Sequence, residues 1–415
     1  MNDCVLSVVM PTFNQAGFIA ESVRSVLGQG QAGVELVVMD GGSTDGTQAI
    51  LAGLAAEFPG CLRWASHPDH GPADAVNAAV RAARAPLIGW LNSDDLYAAG
   101  ALQRAVAHFA SHPDDVMVYG EGDHVDVLGA FMERYPTLPP STPYGYFADG
   151  CFICQPTAFF RRDAFLDLGG LDLKLKAAFD FELWLRLFRR YPGRIGFIPE
   201  VLAKSRLHAG GITLKFRERV ALEGLEVIHR HLGVAPGHWL LTHLNELCDM
   251  QPFLPDRLDL GARFDLLLER ASPWLASAVR HDLHRQAHAD RRVVLSHPDV
   301  HVGIHADGWA SDALTVRVQQ TSEPIRDVVL HCRHHAPRAG LIEIRTFAPQ
   351  GELDVVRVDG NGPFDLVLPC LDTLPGARLV FQLQTAHAFV PAEVSPPSAD
   401  RRALAFLVDE VSLRR

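Results

Sequence analysis

Pro86-Leu87-Ile88-Gly89-Trp90-Leu91-Asn92-Ser93-Asp94-Asp95 is an apolar run that ends in two adjacent carboxylates. Its first six residues have the length and apolarity of a strand buried on both faces. In an open parallel sheet, ligands bind just beyond the carboxyl ends of the strands. Two aspartates at that edge offer hard oxygen ligands for Mg²⁺ or Mn²⁺ set against a diphosphate. Asn, Ser and Asp also favour plain surface turns, so the stretch alone leaves both readings open.

The flanking sequence alternates strand and helix. Leu6 to Met10 reads as a strand stopped by Pro11, and Ile19, Val23, Val26 and Leu27 recur at helical spacing. Val34 to Met39 is a second strand, followed by a helix with Ile50, Leu51, Leu54 and Phe58 on one face. Leu62-Arg63-Trp64 opens a third strand, and Val76, Ala79, Val80 and Ala83 stripe the next helix. Leu102, Val106 and Phe109 follow the 86–91 strand in helical register. Such alternation predicts a mainly parallel sheet with flanking helices, its strand ends gathered at one edge by right-handed crossovers. From 127 to 212 the pattern is less regular, apart from an amphipathic helix carrying Phe181, Trp184, Leu185 and Phe188. Residues 213–291 read as helical, with Leu225, Ile228 and Leu232 as one stripe. Beyond 292 the period becomes two, as in Leu314/Val316/Val318, Phe364/Leu366/Leu368 and Leu379/Phe381/Leu383, which predicts a C-terminal all-β sandwich. The expected domains are therefore 1–212, 213–291 and 292–415.

At 415 residues and 48% hydrophobic, the chain can bury more than one core. A net charge of −11 and a pI near 6.0 argue against nucleic acid as the main partner. Seven scattered cysteines suit a reducing cytoplasm better than a disulfide framework, and the lone Cys151-Phe152-Ile153-Cys154 reads as buried packing. The first residues lack a basic n-region, and no apolar run approaches the ~18 residues that cross a bilayer. The expectation is a soluble protein, with peripheral membrane contact left open.

Met39-Asp40-Gly41-Gly42-Ser43-Thr44-Asp45-Gly46-Thr47 follows the second strand. Its glycines allow close backbone approach to a ligand, and Ser43 or Thr44 could cap the following helix. A GxGxxG fingerprint and a GxxxxGK[ST] loop are both absent, which counts against a Rossmann dehydrogenase and a P-loop NTPase. Together with Val8-Val9-Met10-Pro11-Thr12-Phe13-Asn14, His70 to Asn77, Trp90 to Tyr97, Gln155 to Phe160 and Asp180 to Leu187, this segment resembles the family 2 glycosyltransferases over roughly residues 5–210.

The resemblance implies a GT-A fold, a nucleotide-sugar donor (a UDP-sugar first, a GDP- or dTDP-sugar as the alternative), Mn²⁺ or Mg²⁺, and inversion at the anomeric carbon. It implies a nucleoside pocket lined by Pro11, Thr12, Phe13, Asn14 and Asp40, with Asp69 and Asp74 on its far wall. Asp94 would face the ribose or sugar, Asp95 would ligate the metal with His208 as a further ligand or phosphate donor, and Asp180 would be the catalytic base. Many members carry two acids where this chain has Asp40-Gly41, and Gly41 cannot supply the second, which often contacts the nucleobase. Asp180 could equally cap the helix that follows it. The acceptor implied is a glycan or lipid-linked hydroxyl in surface polysaccharide synthesis, at the cytoplasmic side of a membrane. A non-catalytic glycan-binding or scaffold protein on the same fold is the rival of another class. His281, His284 and His288 share a helix face that is most simply solvated. The sandwich resembles accessory domains of polysaccharide-assembly transferases; there Trp309 could stack on a sugar or anchor the core.

Overall fold

Strand β1 (Leu6–Thr12) is buried along its whole length, and it organises the N-terminal half of the molecule. The computed structural model describes residues 4–208, 211, 216–250, 260–287, 299–304, 308–334, 340–348, 350–371, 374–389 and 404–415. The chain divides into two compact units, Met1–Pro236 and Gly237–Arg415.

In the first unit β1 is followed by α1 (Ile19–Leu27), β2 (Val34–Asp40), α2 (Thr47–Glu57), β3 (Leu62–Ser66), α3 (Pro72–Ala82) and β4 (Leu87–Trp90). Then come β5 (Leu96–Tyr97), α4 (Ala101–Ser111), β6 (Met117–Val125), β7 (Phe131–Arg134), β8 (Phe159–Arg161), α5 (Arg162–Asp167), α6 (Phe179–Arg190), β9 (Ile195–Arg206) and α7 (Arg217–Leu232). The sheet order is β3-β2-β1-β4-β8-β6-β9-β5, with β7 paired to β6. Its first half is parallel, as the alternation implies. The second half is mixed: β8 runs against both β4 and β6, while β6 and β9 are parallel. Within the irregular 127–212 stretch, β8 runs against both its neighbours, and α5 and α6 lie on the connection that returns the chain to β9 beside β6.

Register places the strand ends together. Thr12 pairs with Asp40, Asp40 with Ser66, and Val9 with Trp90. Because β6 and β9 point the same way as β4, Val125 and Arg206 finish at that edge too. The core beneath includes Val8, Met10, Leu36, Val38, Leu87, Tyr97, Leu102 and Phe159. Each such buried side chain contributes about 1.5–3 kcal/mol. Gly89 admits this packing: a Cβ there would lie 2.6 Å from the Tyr97 hydroxyl and 2.9 Å from the Phe159 ring.

The second unit begins with α8 (His238–Met250), α9 (Leu260–Ala271) and α10 (Ser277–Arg285). Two antiparallel sheets follow. One comprises β10 (Val300–Val302), β12 (Ala313–Gln319), β17 (Arg378–Gln384), β14 (Ile342–Ala348) and β15 (Gly351–Val358). The other comprises β11 (Trp309–Ala310), β18 (Phe406–Arg414), β13 (Asp327–His334) and β16 (Gly362–Pro369). Their shared core takes Leu314, Val316, Val318, Leu366, Leu368, Phe381 and Leu383, the residues of the period-two pattern. Trp309 is half-buried and meets Phe389 edge-on at 5.7 Å. His281 and His284 are exposed, and His288 lies outside the described residues, as does the expected 291/292 boundary. Among the described residues no helix is long and apolar enough to cross a membrane.

Candidate functional site

The loops after β1 and β2 are laced to each other. Asn14 is the one non-glycine among the described residues with positive φ, at 52°, a conformation asparagine tolerates better than most residues. Its amide donates to Ser43 Oγ at 2.7 Å, and its Oδ1 accepts from Thr44 N at 2.9 Å. The Asp40 carboxylate, 1% exposed, accepts from Ser43 N at 3.1 Å, from Ser43 Oγ, and from Ser66 Oγ at 2.6 Å. Asp40 therefore holds together the ends of β2 and β3 and the loop that leads from β2 to α2. Facing the same edge, Phe13 is exposed, while Thr12 Oγ1 is buried without a hydrogen-bond partner.

Asp69 comes to this edge from the loop after β3. Its Oδ1 accepts from Gly71 N at 2.8 Å, and a Cβ on Gly41 would stand 3.0 Å from its Oδ2. The missing side chain at Gly41 is thus the space the Asp69 carboxylate uses. Asp74, in the first turn of α3, turns to His70, whose hydrogen bond holds its carboxyl below the ordinary range. Pro11 is buried within β1.

The Asp94–Asp95 turn is built by residues distant in sequence. Asp95 N donates to Asn92 O at 3.1 Å to close it. Asn92 Nδ2 donates to Gln155 Oε1 at 2.8 Å and Asp95 Oδ2 at 3.2 Å, and Gln155 Nε2 donates to Trp90 O at 2.9 Å. Asp95 Oδ1 accepts from Arg206 N at 2.8 Å, so this carboxylate is turned inward, 3% exposed, with both oxygens engaged. Burial and the neighbouring Asp94 charge push its carboxyl well above the usual range. Asp94 is the more open of the two, its side chain 17% exposed and its Oδ2 2.9 Å from His208 Nε2, and the His208 ring packs on Phe18 at 4.8 Å. Arg206 ties the whole edge. Its guanidinium donates to Asp94 O at 2.9 Å, Val127 O at 2.8 Å and Glu21 Oε2 at 2.8 Å, and lies over the Phe18 ring.

Asp180 occupies the second position of α6, whose N-cap is Ala178. Its carboxylate accepts from the adjacent Phe181 N at 2.8 Å, which leaves the cap position without a side-chain acceptor of its own. Burial pushes its carboxyl up to about 6. The Cys154 thiol feels the charges of both Asp95 and Asp180, so the two carboxylates flank one buried neighbourhood. Burial raises Cys151 to about 12, as expected of a packing thiol rather than a nucleophile.

The profile of Glycosyl transferase family 2 matches residues 7–169. Residues 7–169 of this chain are thus similar to a family 2 glycosyltransferase domain. An uncharacterized glycosyltransferase of Rickettsia prowazekii is 26% identical over 222 residues, covering 50% of this chain and 66% of that protein. A related protein of Rickettsia conorii is 24% identical over 217 residues, 49% of this chain and 34% of its own. The chain thus spans less than two thirds of the length of these relatives. A PGL/p-HBAD biosynthesis glycosyltransferase of Mycobacterium tuberculosis is 27% identical over 241 residues, 55% of this chain and 87% of that protein. Among solved structures, Staphylococcus aureus TarS 1-349 in complex with UDP-GlcNAc is 19% identical, covers 70% of this chain and 90% of that one, and has a TM-score of 0.48.

Of the candidate residues, Asp180 and His208 lie beyond the matched segment, which ends at residue 169. Among the described residues no three His, Cys, Asp or Glu side chains gather as a closed metal site. The donor set nonetheless fits a divalent cation shared with a phosphate ligand. Asp94 and His208, with side chains 17% and 12% exposed, bring a carboxylate and an imidazole nitrogen together at this edge, and Mg²⁺ or Mn²⁺ ordinarily completes its shell with water and substrate oxygens. Arg206 and Asn92 were not singled out by sequence reasoning. Arg206 lies two residues before His208, and nothing local marks a strand-end arginine as the anchor of a turn more than a hundred residues away.

Proposed function

We propose that the first unit is an inverting, metal-dependent glycosyltransferase that moves a sugar from a nucleotide-sugar donor, UDP-linked in the first instance, to a hydroxyl of a lipid-linked or glycan acceptor in surface polysaccharide synthesis. The observation that carries this reading is the pairing of Asp94 and His208 with a half-buried Asp180, whose carboxyl is raised to about 6, around the end of β4. At neutral pH a carboxylate near 6 is mostly ionised yet more basic than an ordinary aspartate, which suits a general base. Asp180 takes the acceptor hydroxyl proton as the acceptor oxygen forms its bond to the anomeric carbon. The bond from that carbon to the diphosphate breaks on the opposite face and the electron pair leaves with the diphosphate, so one displacement inverts the centre. Asp94 and His208 would hold Mn²⁺ or Mg²⁺, which as a Lewis acid offsets charge growing on the leaving diphosphate. In this reading Asp95 and Arg206 keep the turn in place, and Asp69 replaces the acid absent at Gly41 beside the nucleobase.

A lipid-linked acceptor is supported by the β6–β7 hairpin. Val127, Leu128, Phe131 and Met132 are exposed there, Leu128 at 87%, and Arg206 binds the hairpin's turn to the site. We place the protein in the cytoplasm against the inner membrane face, a compartment that also suits its scattered thiols. Thermal shifts with UDP, GDP and dTDP, each with and without Mn²⁺, test the reading, since a ligand of the native state raises its melting temperature. A Mn²⁺-dependent shift with UDP is expected. A shift with GDP or dTDP alone reassigns the donor, and no shift with any nucleotide returns the fold to a glycan-binding or scaffold role.

A further inference from the structure

The start of α6 is capped by a residue from another helix. Lys176, Ala177 and Ala178 precede Asp180 and carry no Ser, Thr, Asp or Asn at the cap position. Their three backbone amides all converge on Glu223 of α7. Lys176 N donates to Oε1 and Oε2 at 3.0 Å each, Ala177 N to Oε2 at 2.8 Å, and Ala178 N to Oε2 at 3.1 Å. A helix N-terminus has orphan donors and positive dipole character, so a carboxylate there both satisfies and orients it. The Glu223 side chain is 13% exposed, which leaves little water to take its place.

Two further ties lock α7 to the same region. Arg230 Nη1 is 2.9 Å from Asp172 Oδ2, and His231 Nε2 is 3.1 Å from the buried Glu182 on α6. The loop's other end is fixed by Asn77, whose Oδ1 accepts from Leu171 N at 2.8 Å while its Nδ2 donates to Leu171 O at 3.0 Å. The segment 171–178 is thus held at its far end by Asn77 and at its near end by Glu223.

We propose that Glu223, outside the matched family segment, is a positioning residue for catalysis: through the amides of Lys176, Ala177 and Ala178 it sets where the Asp180 carboxylate stands. The inference rests on Asp180 being the base. A displacement of about 1 Å in a reacting group can cost ~10²-fold in rate, and three amides released together permit one.

The test uses the full chain, with Glu223→Ala, Glu223→Gln, Asp180→Asn and the double variant Glu223→Ala/Asp180→Asn. Hydrogen exchange should show protection lost at Lys176–Ala178 in Glu223→Ala, while the melting shift with UDP and Mn²⁺ stays as in the parent. With whichever UDP-, GDP- or dTDP-sugar is hydrolysed fastest, kcat for nucleotide release should fall ~10²-fold with donor KM unchanged. Glu223→Gln keeps one acceptor oxygen and should lose only about tenfold, and it serves as the folded variant if Glu223→Ala is insoluble. In the Asp180→Asn background Glu223→Ala should cost nothing more, since residues acting as one unit are not additive. Unchanged exchange at Lys176–Ala178, a parental kcat, or a full additional loss in the double variant overturns the proposal. If Asp180→Asn itself turns over at the parental rate, it is the base reading that fails, whatever Glu223 does to the amides.

Discussion

Phe179 stacks on Trp90 with ring centroids 5.9 Å apart and planes 24° from parallel. Trp90 ends β4 and Phe179 opens α6, so one aromatic contact fixes the Asp94–Asp95 turn against the helix start that bears Asp180. Both rings are buried, and Trp184 adds a second contact to Trp90 at 6.4 Å. Stacked pairs of this kind contribute about 0.5–1.5 kcal/mol beyond their buried area. The two halves of the proposed chemistry are thereby mounted on one rigid cluster.

Asp180→Asn should lower transfer by ~10²–10⁴ while leaving nucleotide binding intact, because shape is kept and the proton acceptor is lost. Comparing kcat with UDP and Mn²⁺ binding in the same preparation checks this. A parental kcat would leave Asp180 as a purely structural residue of the α6 start.

The pH dependence of the same group has two signs. Turnover should rise with pH through about 6, as Asp180 loses its proton and becomes able to accept one. Stability should move the other way. A carboxyl whose folded pKa is raised from 3.8 to about 6 keeps its proton in the native state while the unfolded chain has lost it, so stability falls as pH climbs through that window. The loss is complete above the folded value and amounts to at most about 3 kcal/mol. Asp180→Asn should therefore melt higher than the parent at pH 8 and equally below pH ~4, read by thermal denaturation across pH.

Asp94→Asn and His208→Ala should each weaken the Mn²⁺-dependent part of nucleotide binding and leave the melting temperature without ligand nearly unchanged. Asp95→Asn should do the reverse. It places an amide against the Asn92 and Arg206 donors and should cost about 1–3 kcal/mol of stability, with any nucleotide that binds still responding to Mn²⁺. Mn²⁺ titrations followed by thermal shift separate the two patterns.

Gly41→Asp should weaken nucleotide binding by on the order of tenfold or more, because the new side chain pushes a like charge into the Asp69 carboxylate. Gly41→Asp combined with Asp69→Asn should recover part of the loss. Isothermal titration with the nucleotide found by the screen reads both, and an undiminished affinity in Gly41→Asp would separate Asp69 from the base pocket.

A chain ending at Pro236 should fold and bind nucleotide with Mn²⁺, since contacts divide the molecule there. A chain ending at residue 212 should not, because it lacks Glu223, Arg230 and His231 and exposes the apolar face of α7's partners. Solubility and far-UV circular dichroism of the two truncations decide it.

The sequence by itself determined the alternation of strand and helix up to Trp90, the switch to period two in the C-terminal region, and the placing of two carboxylates at a strand end. Those features are local: each element's spacing records which of its own faces is buried, and that is legible without knowing the partner. Which carboxylate is the more open was decided by tertiary structure, because Arg206 N takes an oxygen of Asp95 from 111 residues away and leaves Asp94 to meet His208. The same holds for Asp40, whose oxygens are consumed by Ser43 and Ser66, and for Asp180, whose helix start is held by Glu223. A motif states that an oxygen or nitrogen is present at a strand end or helix start. Whether its lone pairs are free for a ligand depends on which donors the folded chain brings beside it.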